Sequence, residues 1–109
     1  MVFRYSKPII FKAKRQSDNS ILVTGVNGLN EQELSRFVCN EAQDITLTDD
    51  VYIKSMQYDV GDEFMLLGKA NYSSHHCSLF ANIHITKIRV LKNTHWRNLI
   101  LHLRKEVSN

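Results

Sequence analysis

The chain has 109 residues, 43% of them hydrophobic and 23% charged, and a net charge of +3, which is ordinary for one folded domain. No run approaches the roughly 18 apolar residues of a membrane-spanning helix, and the N-terminal stretch lacks a long apolar signal segment. Two cysteines are too few for a disulfide framework. We therefore expect a single intracellular domain over residues 1–109, with no membrane contact.

The charge is unevenly distributed along the chain. Residues 1–17 carry five basic residues and no acidic one, whereas residues 18–63 carry ten acidic residues and two basic ones. Residues 64–109 carry seven basic residues and one acidic residue. If the two basic ends meet in the fold, they form a positive face, which is the simplest electrostatic sign of nucleic-acid binding. A solvated surface of mixed charge is the alternative.

The first third of the chain predicts two strands. Residues 9–14, IIFKAK, alternate in the manner of a half-buried strand with Lys12 and Lys14 on its outer face. The following QSDNS is typical of a turn, and residues 21–26 predict the second strand.

A short helix is expected from Asn30 to Glu41. Asn30 and Glu33 have the spacing of a capping box, and Leu34 and Phe37 begin an apolar series at helical spacing. Extended structure for SRFVC is the alternative.

The middle of the chain predicts two more strands. In residues 45–58, Val51 and Ile53 alternate with polar neighbours, which indicates the third strand. Gly61 is expected in a hairpin turn before the fourth strand, residues 63–70. Gly68 lies inside that strand, where glycine usually marks a bulge, a bend or a close backbone approach.

A long fifth strand, residues 79–90, changes its apolar parity. Apolar residues occupy odd positions from 79 to 85 and even positions at 88 and 90. A regular strand with this pattern would turn its apolar face to solvent. We therefore expect a β-bulge near Thr86 and Lys87, which would bend the strand as small barrels require.

The C-terminal segment predicts an amphipathic helix over residues 94–107. Its apolar stripe consists of Trp96, Leu99, Ile100, Leu103 and Val107. In the simplest interpretation this stripe closes the open end of a barrel. Alternatively Trp96, the single tryptophan, marks a partner interface, where tryptophan is enriched.

No pattern of catalytic or metal-binding residues stands out. His75, His76 and Cys77 are adjacent, so their side chains diverge, and they lack the spaced pairs of a zinc site. The paired carboxylates at residues 49–50 and 62–63 are typical of turns rather than of a catalytic dyad. We expect no enzyme activity, no metal and no cofactor.

Single-strand nucleic-acid binding requires a basic groove and aromatic platforms for the bases. The candidate residues for such a site are Lys12, Lys14, Arg15, Lys87, Arg89 and Tyr72. Each aromatic residue taken alone is more often part of a core.

Five strands, a short internal helix, a bulged last strand and a terminal helix predict a mainly β protein resembling the OB-fold, a small five-stranded Greek-key barrel. Residues 60–106, which include VGDEFMLLGKA and SLFANIHITKIRVLKNTHWRNLILHLRKE, also resemble the smallest subunit of the CST telomere-capping complex. The shared pattern is an apolar strand between glycines, a long alternating strand and a terminal amphipathic helix.

The resemblance implies a non-enzymatic nuclear subunit at chromosome ends, which binds a larger OB-fold protein and contributes weakly to binding of single-stranded DNA. The implied partner-binding residues are Trp96, Leu101, His102, Met65 and Leu67. A free-standing single-strand-binding module and a small β-rich adaptor that binds no nucleic acid remain the alternative functions.

Overall fold

The computed structural model describes residues 3–39, 44–75, 78–92 and 95–104. In chain order its elements are β1 (Phe3–Arg15), β2 (Ile21–Asn27), α1 (Glu31–Cys39), β3 (Asp44–Leu47), α2 (Asp49–Ser55), β4 (Glu63–His75), β5 (Ser78–Val90) and β6 (Arg97–Leu103). The mainly β class is confirmed, and the described residues form six strands in place of the expected five.

All six strands belong to one curled, barrel-like sheet with the order β3-β5-β4-β1-β2-β6. Neighbouring strands are antiparallel except β3 and β5, which are parallel. The long strands β1, β4 and β5 form its centre.

The inner face of the curled sheet carries the core. Ile9, Phe11 and Ala13 on β1 are fully buried, which confirms the predicted alternation. They lie in register with Gly68, Leu66 and Phe64 of β4, the last two of which are also fully buried. The same core contains Ile21, Val23, Val26, Ile83, Ile85, Leu99 and Leu103. The predicted outer positions of β1, which include Lys12 and Lys14, therefore lie on the opposite face of the sheet from this core.

Helix α1 begins with the predicted capping box. The Asn30 side chain accepts from the Glu33 N–H at 2.8 Å, and the Glu33 carboxylate accepts from the Asn30 N–H at 3.0 Å. The same carboxylate accepts a hydrogen bond from Lys7 Nζ on β1 at 2.6 Å. Phe37, near the C-terminal end of α1, is buried, and its ring centroid lies 6.1 Å from that of Phe11 on β1. These contacts attach α1 to the first strand.

Substitution of Glu33 tests this attachment. Burial by itself would raise the pKa of Glu33, but the hydrogen bonds from Lys7 and Asn30 outweigh it and hold the pKa below the ordinary 4.5. The charge of Glu33 therefore stabilises the fold fully above pH 4.5, and this contribution is lost as the pH falls through the lowered value. We expect Glu33→Ala to cost about 2 kcal/mol in urea denaturation at neutral pH, because it removes two hydrogen bonds to a charged group.

Glu33→Gln is the matched control, because it keeps an acceptor for Asn30 and removes only the charge. It should cost about half as much as Glu33→Ala at neutral pH. The stability gap between wild type and Glu33→Gln should shrink at acid pH, and a gap that grows on acidification would contradict the assignment.

The predicted bulge lies between β4 and β5. The register shifts between Leu67 and Gly68, which pair with Lys87 and Ile85, so Thr86 is the extra residue. The expected close backbone approach is also present, because a Cβ on Gly68 would lie 2.0 Å from the carbonyl oxygen of His84. The parity switch and the internal glycine thus mark one irregularity.

The predicted third strand over residues 45–58 is wrong in its second half. Only Asp44–Leu47 is extended, and α2 follows directly. Thr48 caps this helix by accepting from the Val51 N–H at 3.4 Å. Val51 is buried whereas Ile53 is 55% exposed, so helical spacing decides which residue packs. Gly61 does lie in the turn before β4, with φ +92, but that turn follows a helix and not a strand.

The predicted C-terminal helix is also wrong. Residues 97–103 form β6, which pairs with the edge of β2. Leu99 and Leu103 are buried while Ile100 is 81% exposed, as expected for a period of two. The segment fits both periods, and as a strand it also pairs with the backbone groups at the edge of β2, which a helix would leave without this partner. Of the predicted helix, residues 94 and 105–107 lie outside the described residues.

Candidate nucleic-acid interface

The outer face of β1, β4 and β5 brings together cations from both ends of the chain. Lys12 on β1 pairs with Met65 on β4, and Met65 pairs with Arg89 on β5. These three residues therefore form one row across the sheet, with the two cations about 10 Å apart at ordinary strand spacing. Met65 is only 6% exposed although it faces outward, and the methylene stems of its two basic neighbours are in position to cover it.

A second row lies beside the first. Ile10 pairs with Leu67, and Leu67 pairs with Lys87, which is exposed. The next outward residue of β4, Lys69, is exposed and lies opposite His84. We define the basic face as Lys12, Lys14, Lys69, Lys87 and Arg89 together with the apolar residues Ile10, Met65 and Leu67. Met65 is almost fully covered, but Ile10 and Leu67 are half-buried, so a ligand on this face can contact their apolar surface and the cations at the same time.

Glu63 is the acidic residue of β4 that borders the basic face. It pairs in register with Lys14, and its Oε2 lies 3.7 Å from Lys12 Nζ. Both side chains of this ion pair are about one-third exposed, so the contact is weak and open to competition by another anion. Glu63 thus offsets part of the positive potential at the β1 side of the face.

Neutralising Glu63 should strengthen anion binding. We expect Glu63→Gln to raise the affinity for a single-stranded oligonucleotide about twofold at low salt, because Lys12 is released and a repelling carboxylate is removed. Fluorescence anisotropy with a labelled oligo(dT) measures this change. Asp50→Asn on α2 is the control, since it removes the same charge from an ion pair with Lys54 away from the face. An equal gain in both variants would show a net-charge effect only.

Trp96 lies next to the basic face, at the β2 side of Lys12. Gly25 on β2 pairs with Lys12 and with Asn98. A Cβ placed on Gly25 would lie 3.2 Å from the Cβ of Trp96 and 3.7 Å from the Cβ of Lys12. The tryptophan is half-buried. The only tryptophan of the chain is therefore a neighbour of the predicted cation Lys12.

Arg15 lies apart from the other predicted cations. It pairs with the buried Ile21, and its Nη1 donates to the carbonyl of Tyr58 at 2.7 Å. Its backbone also exchanges hydrogen bonds with the turn before β4, at Gly61 and Asp62. Arg15 thus attaches β1 to the segment after α2 and is not part of the basic face.

The remaining predicted residues are dispersed. Tyr72 lies on β4 and pairs with Tyr5, and its side chain is outside the described part of the structure. His102 is exposed on the outer side of β6, opposite Leu22, whereas Leu101 packs against the core.

Sequence reasoning missed Lys69 of the basic face and the exposure of Ile100 on β6. Lys69 follows Gly68 and could have been found, because it continues the outward parity of Met65 and Leu67. The exposure of Ile100 could not, because it follows from the strand conformation of β6.

The described residues contain no cluster of three or more histidine, cysteine or acidic side chains placed to hold a metal ion. Of the histidine and cysteine run considered above, His76 and Cys77 lie outside the described ranges. Within those ranges no helix has the length and apolar character to cross a membrane.

Comparisons with models of known protein families, with curated proteins and with solved structures give no match for this chain.

Proposed function

We propose that the protein is a non-enzymatic OB-like module that binds single-stranded nucleic acid across the basic face. The observation that carries this proposal is the register of β1, β4 and β5, which places Lys12, Lys87 and Arg89 on one surface. These cations come from segments of the chain separated by the acidic middle. An extended anion is the ligand that such a surface attracts.

The strand order supports the OB-like assignment. β4 returns after a long connection to lie beside β1, as in a Greek key. Helix α2 connects β3 to β4, which is the position at which an OB-fold carries its helix. The difference from the five-stranded form is at the open edge, where β2 pairs with β6.

The apolar strip between the cations favours a single strand over a duplex. Ile10 and Leu67, which are half-buried and pair with each other, form the accessible part of this strip beside Lys87. A duplex presents mainly phosphates to a sheet surface, whereas a single strand also offers the apolar faces of unstacked bases. The mixture of charged and apolar groups therefore fits the single-stranded ligand.

A salt titration of the wild-type chain tests the proposal. Affinity for oligo(dT) is measured by anisotropy over a range of salt concentrations, with a duplex of equal length as the control. Four or five phosphate contacts predict a slope of log affinity against log salt of about −3, and the single strand should bind more tightly than the duplex. Absence of binding at low salt, or a preference for the duplex, would exclude this function.

The resemblance to the smallest subunit of the CST complex supports a narrower hypothesis, in which the same module binds a larger OB-fold protein at telomeres. That partner cannot bind through a C-terminal helix over residues 97–103, because these residues form β6. The hypothesis now requires the outer side of this edge strand, where Ile100 is 81% exposed and His102 is also exposed. Purification from native cells with identification of stoichiometric partners by mass spectrometry tests it, and recovery of the chain alone would exclude it.

A further inference from the structure

We infer that Trp96 is the base-stacking residue of the basic face, holding one unstacked base while Lys12 binds the adjoining phosphate. This inference rests on the proposed function and adds to it the part of the ligand that is recognised. It assigns to nucleic acid a residue for which the sequence suggested either a partner interface or closure of the barrel.

The position of Trp96 follows from a gap in the sheet surface at Gly25. Gly25 has no side chain, and the Cβ atoms of Trp96 and Lys12 both lie within 3.7 Å of the point that its Cβ would occupy. The carbonyl oxygen of Arg97 lies 3.2 Å from the same point. A side chain at residue 25 would therefore press on the backbone and side chain of the segment that carries Trp96.

The strand beneath this gap is held in place locally. β2 has an irregularity in both of its pairings here. Against β1, Thr24 is the extra residue between Val23 and Gly25, whereas against β6 the extra residue lies on β6, between Asn98 and Leu101. The hydroxyl of Thr24 donates to the carbonyl of Lys12 at 3.4 Å. This contact ties the bulge on β2 to the strand that carries Lys12, so the distance between tryptophan and lysine depends on a hydrogen-bonded local structure.

The chemistry around Trp96 selects a ligand that is both flat and anionic. Trp96 is half-buried, so part of it remains open to solvent. Its neighbours on this surface are Lys12 and the exposed amide of Asn98, whereas Arg97 pairs with the buried Val26 and belongs to the opposite face of β6. An aromatic ring beside a cation and an amide suits a nucleotide, because a base stacks on the ring, the phosphate pairs with the cation and the amide can bind a base edge.

Intrinsic fluorescence tests the inference directly, because Trp96 is the only tryptophan in the chain. Wild-type protein is titrated with oligo(dT) and with an abasic oligonucleotide of the same length, while anisotropy records the affinity for each. We expect oligo(dT) to quench the tryptophan emission and the abasic strand to leave it nearly unchanged. Trp96→Ala should weaken binding of oligo(dT) by about tenfold or more and leave the abasic affinity unaltered.

Two variants and one control separate stacking from a structural role. Trp96→Phe keeps an aromatic ring and should retain most of the affinity for oligo(dT). Gly25→Ala keeps the tryptophan but displaces it, and should lower both the quenching and the affinity for oligo(dT). Ile100→Ala truncates an exposed apolar residue on the same segment and should change neither. Thermal unfolding of each variant shows whether it is folded.

The outcomes distinguish this inference from the function on which it rests. Wild-type binding of oligo(dT) without quenching, or equal losses on both ligands in Trp96→Ala, would overturn the stacking assignment while leaving the basic face as the binding site. Failure of the wild-type chain to bind either ligand at low salt would overturn the proposed function. If Trp96→Ala does not fold, the stacking assignment is tested by the quenching of wild-type emission and by the affinity of Trp96→Phe for each ligand. Absence of quenching would then overturn it.

Discussion

Charge reversal of Lys87 and Arg89 together should reduce the affinity for a single-stranded oligonucleotide on the order of 100-fold at low salt. Both side chains are exposed on β5 and lie in the two rows of the basic face, opposite Leu67 and Met65. The double variant replaces two attractive charges with two repulsive ones in the centre of the proposed site. The salt dependence should also become shallower, because fewer phosphates are then neutralised.

The control for this variant carries the same change in net charge at another surface. Lys54 lies on α2 in an ion pair with Asp50, and Arg104 follows β6 in an ion pair with Asp18 at 3.0 Å. All four side chains are more than half exposed, so the cost in stability is small. Reversal of Lys54 and Arg104 should weaken binding only slightly. Equal losses in the two double variants would assign the binding to net charge and exclude a defined face.

Gly68→Ala should destabilise the fold by about 3 kcal/mol or more, which is a large part of the stability of a domain this small. The new Cβ would lie 2.0 Å from the carbonyl oxygen of His84 and 2.7 Å from its carbonyl carbon. Both atoms belong to the backbone of β5, so relief requires that β4 and β5 separate at the bulge. Urea denaturation followed by circular dichroism measures the loss.

Gly61→Ala is the matched control for Gly68→Ala. Gly61 has φ +92 but nothing within 4 Å of a Cβ placed on it, so the substitution meets backbone strain without a steric clash. Its cost should be about 1 kcal/mol. If Gly68→Ala costs no more than Gly61→Ala, the close approach of β4 and β5 is not the constraint described above.

The sequence was informative where one local pattern excluded the alternatives. A regular strand cannot keep the apolar residues on both sides of Thr86 facing the core, so the bulge could be predicted from the sequence alone. The capping box at Asn30 and Glu33 was likewise a local signal. Both features depend on neighbours in the chain and on no knowledge of what pairs with them.

Two segments could not be assigned correctly because their patterns fit both periods. Val51 and Ile53 alternate as in a strand, but Thr48 provides an N-cap and the acidic residues after it favour the first turn of a helix. Residues 97–103 form a helical stripe in isolation, but β2 presents an unpaired edge to them. Long-range pairing decided the second segment, and such pairing is not visible in one sequence.

Most of the cations of the candidate site could be named from the sequence, but their positions relative to one another could not. The outward alternation of Lys12 and Lys14 could be found from β1 alone. Their proximity to Lys87 and Arg89 depends on β4 lying between β1 and β5, which is a property of topology. The position of Trp96 beside Lys12 depends in addition on the strand conformation of β6. Arg15 could have been excluded from the site by the alternation of β1 alone, since its odd position directs it away from the even-numbered lysines.

The extra residue at Thr86 determines which residues of β5 face the core and which face outward on each side of the bulge. Before it, the core faces odd-numbered positions such as Ile83 and Ile85, and after it the outer face takes the odd-numbered Lys87 and Arg89. Substitutions in this strand can change the interior or the cationic surface separately. A one-residue insertion or deletion between Ile85 and Ile88 would exchange the two, so the spacing within this segment constrains core and ligand surface together.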